Sequence, residues 1–165
     1  MENIDNYTQL PVRDGHMCFA CGPANPSGLH MRFFANEDEV VSWVTIPDHL
    51  RGWSNLVHGG IISTLLDEIM SWAAIHLLQK IIVTKTMTVD FVKPIYIGQT
   101  LKAQGRTVEV SGRNEAIMEG FLHNDQGEIC AKARGHFALL KPKVAIRLGV
   151  VDVEDLKNLI KDANV

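Results

Sequence analysis

The feature that most constrains the fold of this chain is a long apolar segment, residues 61–78, that contains only two carboxylates, Asp67 and Glu68. Apolar residues fall on every side of its helical projection, which is typical of a helix buried inside a domain. Acidic side chains are rarely buried without a partner, so we expect at least one of the two to face a cleft or an interface. A membrane span is disfavoured, because both carboxylates stand near the centre of a segment that is barely long enough.

A histidine and two glycines open this segment. His58, Gly59 and Gly60 predict a helix start whose first N–H groups have no internal acceptor. These amides and the helix dipole favour an approaching carbonyl oxygen as it becomes an oxyanion. Asp67 follows Gly60 by seven residues, which is about 10 Å along a helix and too far to act on a carbonyl bound at the same helix start. If the two cooperate, they come from two copies of the chain, as in a two-fold dimer.

The overall composition bounds the class of protein. A chain of 165 residues, 46% of them hydrophobic, is most simply one domain with a sizeable core. The net charge of −3 gives no basic excess for nucleic acid, and the acidic, polar residues 1–6 are unlike a secretory signal. Three cysteines are typical of a reducing compartment rather than of a disulfide framework. We therefore expect a cytoplasmic protein with neither a nucleic-acid nor a membrane partner.

A cysteine pair precedes the helix in a segment rich in glycine and proline. Cys18 and Cys21 have C-x-x-C spacing, with His16 and His30 nearby, and such a set offers four zinc ligands. A second C-x-x-C or H-x-x-x-H is missing, so we favour no metal and two ordinary thiols in a turn that packs on the core. A redox pair is the least favoured interpretation, because no strand precedes the motif and no helical pattern follows it directly.

Alternating patterns predict strands on both sides of the helix. Residues 30–34 and 39–46 form a hairpin around a turn at residues 36–38. Four strand-like runs follow the helix at residues 81–92, 101–110, 115–123 and 128–140. Gly105 predicts a bulge in the second of these, and Asp152 predicts the cap of a short helix over residues 152–161. One buried helix followed by antiparallel strands predicts an α+β domain in which the sheet packs on the helix.

Four motifs resemble those of the hotdog-fold acyl-CoA thioesterases, particularly the phenylacetate-pathway type of the 4-hydroxybenzoyl-CoA thioesterase superfamily. They are H-G-G with Asp67 nine residues after His58, the strand T-K-T-M-T-V-D-F-V-K-P from Thr84 with a following Gly98, the hairpin S-G-R-N at residues 111–114, and D-Q-G at residues 125–127 leading into A-K-A and a closing strand through Phe137. The C-F-A-C-G run from Cys18 is similar to the opening of one subgroup. The combination is more specific than H-G-G alone.

The resemblance implies a fold and an organisation. The hotdog fold is a curved antiparallel sheet wrapped around one long helix, and its unit is a homodimer, often a dimer of dimers. We expect an N-terminal arm at residues 1–17, the hotdog domain at residues 18–145 and a helical tail at residues 146–165. The implied reaction is hydrolysis of an acyl-CoA to the free acid and CoA, without a cofactor.

The resemblance also implies catalytic roles. The expected catalytic residues are Asp67, Gly59, His58, Thr84 and Asn55. Asp67 is the nucleophile or the general base, and the amide of Gly59 is the oxyanion donor from the facing subunit. His58 shapes the helix start, as a purely structural ring also would, and Thr84 orients water unless it is an ordinary strand threonine. Some relatives hold the substrate carbonyl or water with an asparagine before H-G-G, a role for which Asn55 is the candidate here.

A second group is expected to bind substrate: Gly60, Glu68, Gly112, Arg113 and Asn114. The hairpin that carries the last three often meets the CoA phosphates in this family, although Arg113 is equally consistent with a solvated turn residue. Glu68 competes with Asp67 for the role of base. The two lie about 100° apart around a helix, so they cannot both point at the same spot.

Other functions remain open at this point. The main alternative is a non-catalytic hotdog protein that binds an acyl-CoA or an acyl carrier, and a carrier-protein thioester is an alternative substrate. A hotdog hydratase is less favoured, because the spaced aspartate and histidine of such enzymes are not found here. The sequence does not identify the acyl group.

Overall fold

A seven-stranded antiparallel sheet packs against one long helix in this protein. The structure is a computed structural model that describes residues 6–160. Within that range the strands are Thr8–Gln9 (β1), Phe34–Ala35 (β2), Val40–Thr45 (β3), Ile81–Phe91 (β4), Thr100–Ser111 (β5), Glu115–His123 (β6) and Ile129–Leu140 (β7), and the α-helices are Gly59–Leu78 (α1), Pro142–Arg147 (α2) and Val153–Leu159 (α3). The order across the sheet is β1-β2-β3-β5-β6-β7-β4. This architecture confirms the predicted α+β hotdog fold.

The helix α1 is the predicted buried helix, and it begins at Gly59, ahead of the apolar segment. His58 is its N-cap, and Gln79 ends it in the left-handed conformation at φ 52°. Its buried residues are Ile62, Leu65, Leu66, Ile69, Met70, Trp72, Ala73 and Ala74. By length and composition alone α1 is apolar enough to cross a membrane. The core helix of a globular domain passes the same test, and α1 packs on β3, β4, β5, β6 and β7.

Two glycines let α1 lie close to the sheet. Gly105 on β5 is paired with Gly120 on β6. A Cβ at Gly105 would lie 2.5 Å from the carbonyl oxygen of Ile69, and a Cβ at Gly120 would lie 3.0 Å from the Met70 side chain. The helix backbone can reach this depth only where the strands carry no side chain.

The bulge predicted at Gly105 is wrong. β5 pairs in regular register through Gly105, and its register shift falls between Thr107 and Glu109. Gly105 allows α1 to lie close to β5 and does not change the strand pairing. Another register shift lies in β4 between Thr84 and Thr86, next to a predicted site residue.

The first hairpin is shorter than predicted, although its turn is confirmed. The Asn36 side chain accepts hydrogen bonds of 2.9 Å from the amides of Asp38 and Glu39. The strand before the turn starts at Phe34 instead of residue 30, because the preceding backbone is engaged elsewhere. The amide of Met31, for example, donates a hydrogen bond of 2.9 Å into the cysteine turn.

Both ends of the described chain pack on the domain. The predicted N-terminal arm contributes β1 to the sheet, and its Arg13 forms an ion pair of 3.1 Å with Asp155 of α3. Helix α2 was not predicted; its Ala145 forms a small second core with Ile81 and with Leu156 of α3. Asp152 caps α3 as predicted, since its side chain accepts from the amide of Asp155.

Two predictions fall partly on residues at the chain ends that the structure does not describe. The absence of a secretory signal was predicted from residues 1–6, of which residues 1–5 lie outside the described residues. The predicted end of the last helix, Lys161, also lies outside them, and the described helix ends at Leu159.

We predict that Gly105→Ala lowers the free energy of unfolding by about 1–3 kcal/mol, the usual cost of overpacking a core. The added methyl group would meet a carbonyl of α1, which cannot yield unless the helix moves. Urea unfolding followed by circular dichroism measures the change. Gly15→Ala is the control, because a Cβ there meets no described atom within 4 Å. An unchanged midpoint for Gly105→Ala would contradict the close approach of helix and sheet.

Candidate active site

The carboxylate of Asp67 is held by a threonine of the edge strand. Thr84 Oγ1 donates a hydrogen bond of 2.8 Å to Asp67 Oδ1. Thr84 immediately precedes the register shift of β4, and bulges of this kind re-aim neighbouring side chains. Both residues are partly buried, so the pair lies at the border between apolar core and solvent. The structure thus brings together two residues that the sequence predicts separately.

The start of α1 presents backbone amides, as its glycines predict. The imidazole Nδ1 of His58 accepts a hydrogen bond of 2.9 Å from the amide of Gly60. The amide of Gly59, the first helical residue, has no acceptor within residues 6–160. Because Nδ1 accepts, the proton of the neutral ring is on Nε2. The structure therefore gives His58 the role of an N-cap and leaves Gly59 as the amide available to a ligand.

Gly59 and Asp67 lie far apart within one chain. They belong to the same unbroken helix and are about 12 Å apart along its axis. The start of α1 lies instead against Phe91, the last residue of β4, because a Cβ at Gly59 would be 3.6 Å from the Phe91 ring. A carbonyl bound at Gly59 is out of reach of Asp67 in the same chain.

The loop before α1 is fixed by its backbone. The amide of Val57 donates to the carbonyl of Ile95 at 2.9 Å, and the amide of Ile97 donates to the carbonyl of Asn55 at 3.0 Å. The Asn55 side chain is exposed on this loop. Among the described residues, no hydrogen bond joins that side chain to Asp67, so the structure does not bring Asn55 into the Asp67 pair.

The predicted phosphate-binding hairpin lies beside the other end of α1. Gly112 adopts a φ of 64° in the turn between β5 and β6. Gly112 and Arg113 line a cavity of about 310 Å³ together with Lys80 and Lys141. Three cationic residues around one cavity attract an anion. Asn114 contributes differently, because its backbone carbonyl accepts a hydrogen bond of 2.7 Å from β7.

Glu68 turns away from the Asp67 pair and toward the cysteine turn. Its Oε1 accepts a hydrogen bond of 3.1 Å from Trp72 Nε1 and lies 3.9 Å from the sulfur of Cys18. Burial raises the pKa of Glu68 to about 7. The two adjacent carboxylates therefore have different surroundings, as the rotation of about 100° per residue requires.

Sequence reasoning missed the group that Glu68 joins. The sulfur atoms of Cys18 and Cys21 and a carboxylate oxygen of Glu68 all lie within 4.8 Å of one another; we call these three residues the cysteine–glutamate cluster. The hydrogen bond from the Cys21 thiol lowers the pKa of Cys18 to about 5. His30 is engaged elsewhere, with its ring nitrogen on the carbonyl of Asn25. The signal in the sequence was the rotation of about 100° around the helix between Asp67 and Glu68. Because of this rotation the two carboxylates face different neighbours.

The part of this chain that matches known proteins includes Gly59, Asp67 and Thr84. Residues 54–131 match the model of the thioesterase superfamily. An uncharacterised protein of Schizosaccharomyces pombe is 33% identical over 92 residues, which are 53% of this chain and 53% of that protein. The chain thus spans about half the length of the curated relative that it matches.

Two solved structures illustrate the likeness in fold. A Streptococcus mutans protein bound to acetyl CoA is 24% identical, with a TM-score of 0.62 over 67% of this chain and 88% of that chain. The PaaI protein from the phenylacetic acid degradation operon of E. coli is 22% identical, with a TM-score of 0.62 over 68% of this chain and 80% of that chain. At such identities the comparison establishes the hotdog fold.

We predict that His58→Ala lowers the free energy of unfolding by about 1 kcal/mol, the usual cost of losing an N-cap acceptor. The amide of Gly60 then has no side-chain partner. His58→Asn should retain most of the stability, because asparagine is among the best N-cap residues. Thermal unfolding of the three proteins measures the difference. Equal melting temperatures for the alanine and asparagine variants would show that the cap does not stabilise α1.

Proposed function

We propose that this protein hydrolyses an acyl-CoA thioester to the free acid and CoA, because residues 54–131 match the model of the thioesterase superfamily and the chain has the hotdog fold. The observation that carries the proposal is the hydrogen bond of 2.8 Å between Thr84 and Asp67, which holds a partly buried carboxylate on a mostly apolar helix. The acetyl CoA bound to the Streptococcus mutans protein supports CoA thioesters as the substrate class. A carrier-protein thioester is the alternative substrate.

The proposed chemistry uses Asp67 in one of two ways. As a general base, it takes a proton from the water that attacks the thioester carbon. As a nucleophile, it attacks that carbon itself, and water then hydrolyses the resulting anhydride. Thr84 engages one carboxylate oxygen, which leaves the other for water or substrate. In both routes an oxyanion forms on the carbonyl, the C–S bond breaks, and CoA leaves as a thiolate.

The proposed oxyanion donor is the Gly59 amide of a second copy of the chain. Within residues 6–160, β4 is the last strand of the sheet, and no described strand pairs with its outer edge. In an antiparallel pairing of β4 with its copy, the Thr84 end of one strand lies toward the Phe91 end of the other. Since Phe91 lies against Gly59, this pairing brings the start of one helix toward the Asp67 of the other chain. A two-fold axis produces two such sites per dimer.

The surface of β4 supports this homodimer. Val83, Phe91 and the adjoining Val92 are 41%, 58% and 52% exposed in the single chain. A long edge strand with exposed apolar side chains is prone to uncontrolled association unless another element covers it. Pairing with a second copy covers the edge and its apolar residues. A dimer of dimers uses a further surface and is not required for the site.

The cavity at the hairpin is the proposed contact for the phosphate groups of CoA. The planar guanidinium of Arg113 suits two-point binding of a phosphate. Lys80 and Lys141 add positive charge on the same cavity. The adenosine end of CoA then lies at the hairpin, while the thioester lies near Asp67.

We predict that Asp67→Asn and Gly59→Pro each lower kcat by at least about 10²-fold, through loss of the base and of the oxyanion donor respectively. Proline lacks the N–H group yet fits the first position of a helix, and the extended backbone of His58 tolerates it. Release of the CoA thiol over a panel of aromatic, short, medium and long acyl-CoAs, followed with a thiol-detecting dye, measures turnover.

Mixing these two variants tests whether each site contains both chains. Random reassociation makes about half of the dimers hybrids with one intact site, which restores about a quarter of wild-type activity. If each site lay within one chain, mixing the two variants would restore no activity. Gly59→Ala is the matched control, since it keeps the N–H group and its Cβ meets Phe91 at an ordinary 3.6 Å. Wild-type protein that binds acyl-CoA without turning over any substrate would favour the non-catalytic binding protein.

We predict that Arg113→Ala raises KM for acyl-CoA by about three- to tenfold with little change in kcat, because a charge-assisted contact to phosphate is lost. The difference should disappear with acyl-pantetheine, which carries no phosphate. Initial rates on both substrates measure it. Arg106→Ala is the control, because Arg106 pairs with Glu119 away from this cavity. An equal KM for Arg113→Ala and wild type on acyl-CoA would contradict the assignment.

A further inference from the structure

The cysteine–glutamate cluster has the dimensions of a metal site. Its two sulfur atoms and one carboxylate oxygen lie within 4.8 Å of one another. The ligand atoms of a tetrahedral zinc ion are about 3.5–3.8 Å apart, so shifts of about 1 Å close the group around an ion. We propose that Cys18, Cys21 and Glu68 bind a zinc ion, with His16 as the fourth ligand.

The turn that carries the two cysteines is held by its own backbone hydrogen bonds. The amide of Gly22 donates a hydrogen bond of 2.9 Å to the carbonyl of Cys18, and a Cβ at Gly22 would lie 2.4 Å from the Cys18 nitrogen. A glycine is therefore required directly after the second cysteine. The amides of Leu29 and Met31 donate hydrogen bonds of 2.9 Å to carbonyls within the turn. These backbone contacts hold the two sulfur ligands on one turn.

Two further residues complete the surroundings. His16 Nδ1 lies 3.9 Å from the sulfur of Cys21 and supplies a nitrogen ligand. Trp72 Nε1 donates to Glu68 Oε1 at 3.1 Å, and an outer hydrogen bond of this kind orients a ligating carboxylate. His30, which the sequence also offers as a ligand, is engaged with a backbone carbonyl of its own turn.

The chemistry of these donors selects zinc. Calcium and magnesium prefer all-oxygen sites, whereas thiolate and imidazole together select zinc. His16, Cys18, Cys21 and Glu68 all line one cavity of about 380 Å³, which gives an ion a path to its ligands. A disulfide between the two cysteines is the competing fate, because oxidation removes both thiolates.

The ion has a structural role in this proposal. Four protein ligands leave no open coordination position for a substrate. The ion joins the segment before the first hairpin to the middle of α1, next to Asp67 in sequence. The zinc proposal does not depend on the proposed thioesterase activity. Zinc content and turnover are separate measurements, so either proposal can fail alone.

Metal analysis of the 165-residue chain tests the site. Protein kept reduced with a phosphine, saturated with zinc and passed through gel filtration is expected to retain about one zinc per chain by mass spectrometry of the metal. Cys18→Ser and Cys21→Ser should lose this zinc, and Glu68→Gln should lose it to a weaker chelator than wild type does. Cys130→Ser is the matched control, because Cys130 is another buried free cysteine that lies outside the cluster.

Cobalt provides a readout that does not need the variants to fold. Co²⁺ added to zinc-free wild type should produce the strong thiolate-to-cobalt absorption of a tetrahedral site, and zinc should remove it. Reduced wild type that retains less than about 0.1 zinc per chain and gives no such band would overturn the proposal. Loss of zinc from Cys130→Ser equal to that from Cys18→Ser would overturn it too. Retained zinc without hydrolysis of any acyl-CoA supports the zinc site and contradicts only the proposed function.

Discussion

The structure depends on how closely α1 approaches the sheet. At Gly105 a Cβ would lie 2.5 Å from the carbonyl of Ile69, so helix and strand meet at the distance of their backbones. This contact sets the position of α1, and the helical period then decides which side chain meets which neighbour. Asp67 meets Thr84 on β4, whereas Glu68, one residue later, meets Cys18. Packing and rotation together give two adjacent carboxylates different surroundings.

The same rigid helix is the reason that the proposed active site is built from two chains. A buried, continuous helix cannot shorten, so Gly59 and Asp67 stay about 12 Å apart in each copy. β4 runs back along this helix, with Thr84 bonded to the carboxylate and Phe91 next to the helix start. An antiparallel pairing of two such strands exchanges their ends. In the proposed dimer, Gly59 of one chain would therefore lie near Asp67 of the other, although the two residues are far apart within each chain.

The sequence predicts most of the fold because the signals concerned are local. The buried helix, the four strands after it and the Asn36 turn each follow from composition or spacing within one segment. The error at Gly105 arises because a glycine in a strand indicates either a bulge or a close backbone approach, and only tertiary packing distinguishes them. The contact between Glu68 and Cys18 joins residues 50 apart, and no periodicity connects such positions. Asp67 and Thr84 were predicted as site residues, but their hydrogen bond required the structure.

The region that matches the superfamily, residues 54–131, does not complete its own core. Phe33, outside that region, is fully buried and stacks on Trp72 of α1 with ring centroids 4.6 Å apart. Trp72 in turn donates its N–H group to Glu68. Without the N-terminal segment, this side of α1 would expose the indole ring of Trp72 and the carboxylate of Glu68, whose pKa is raised by burial in the complete domain. The segment before the matched region therefore belongs to the same folding unit, and it controls the surroundings of Glu68 while β4 controls those of Asp67.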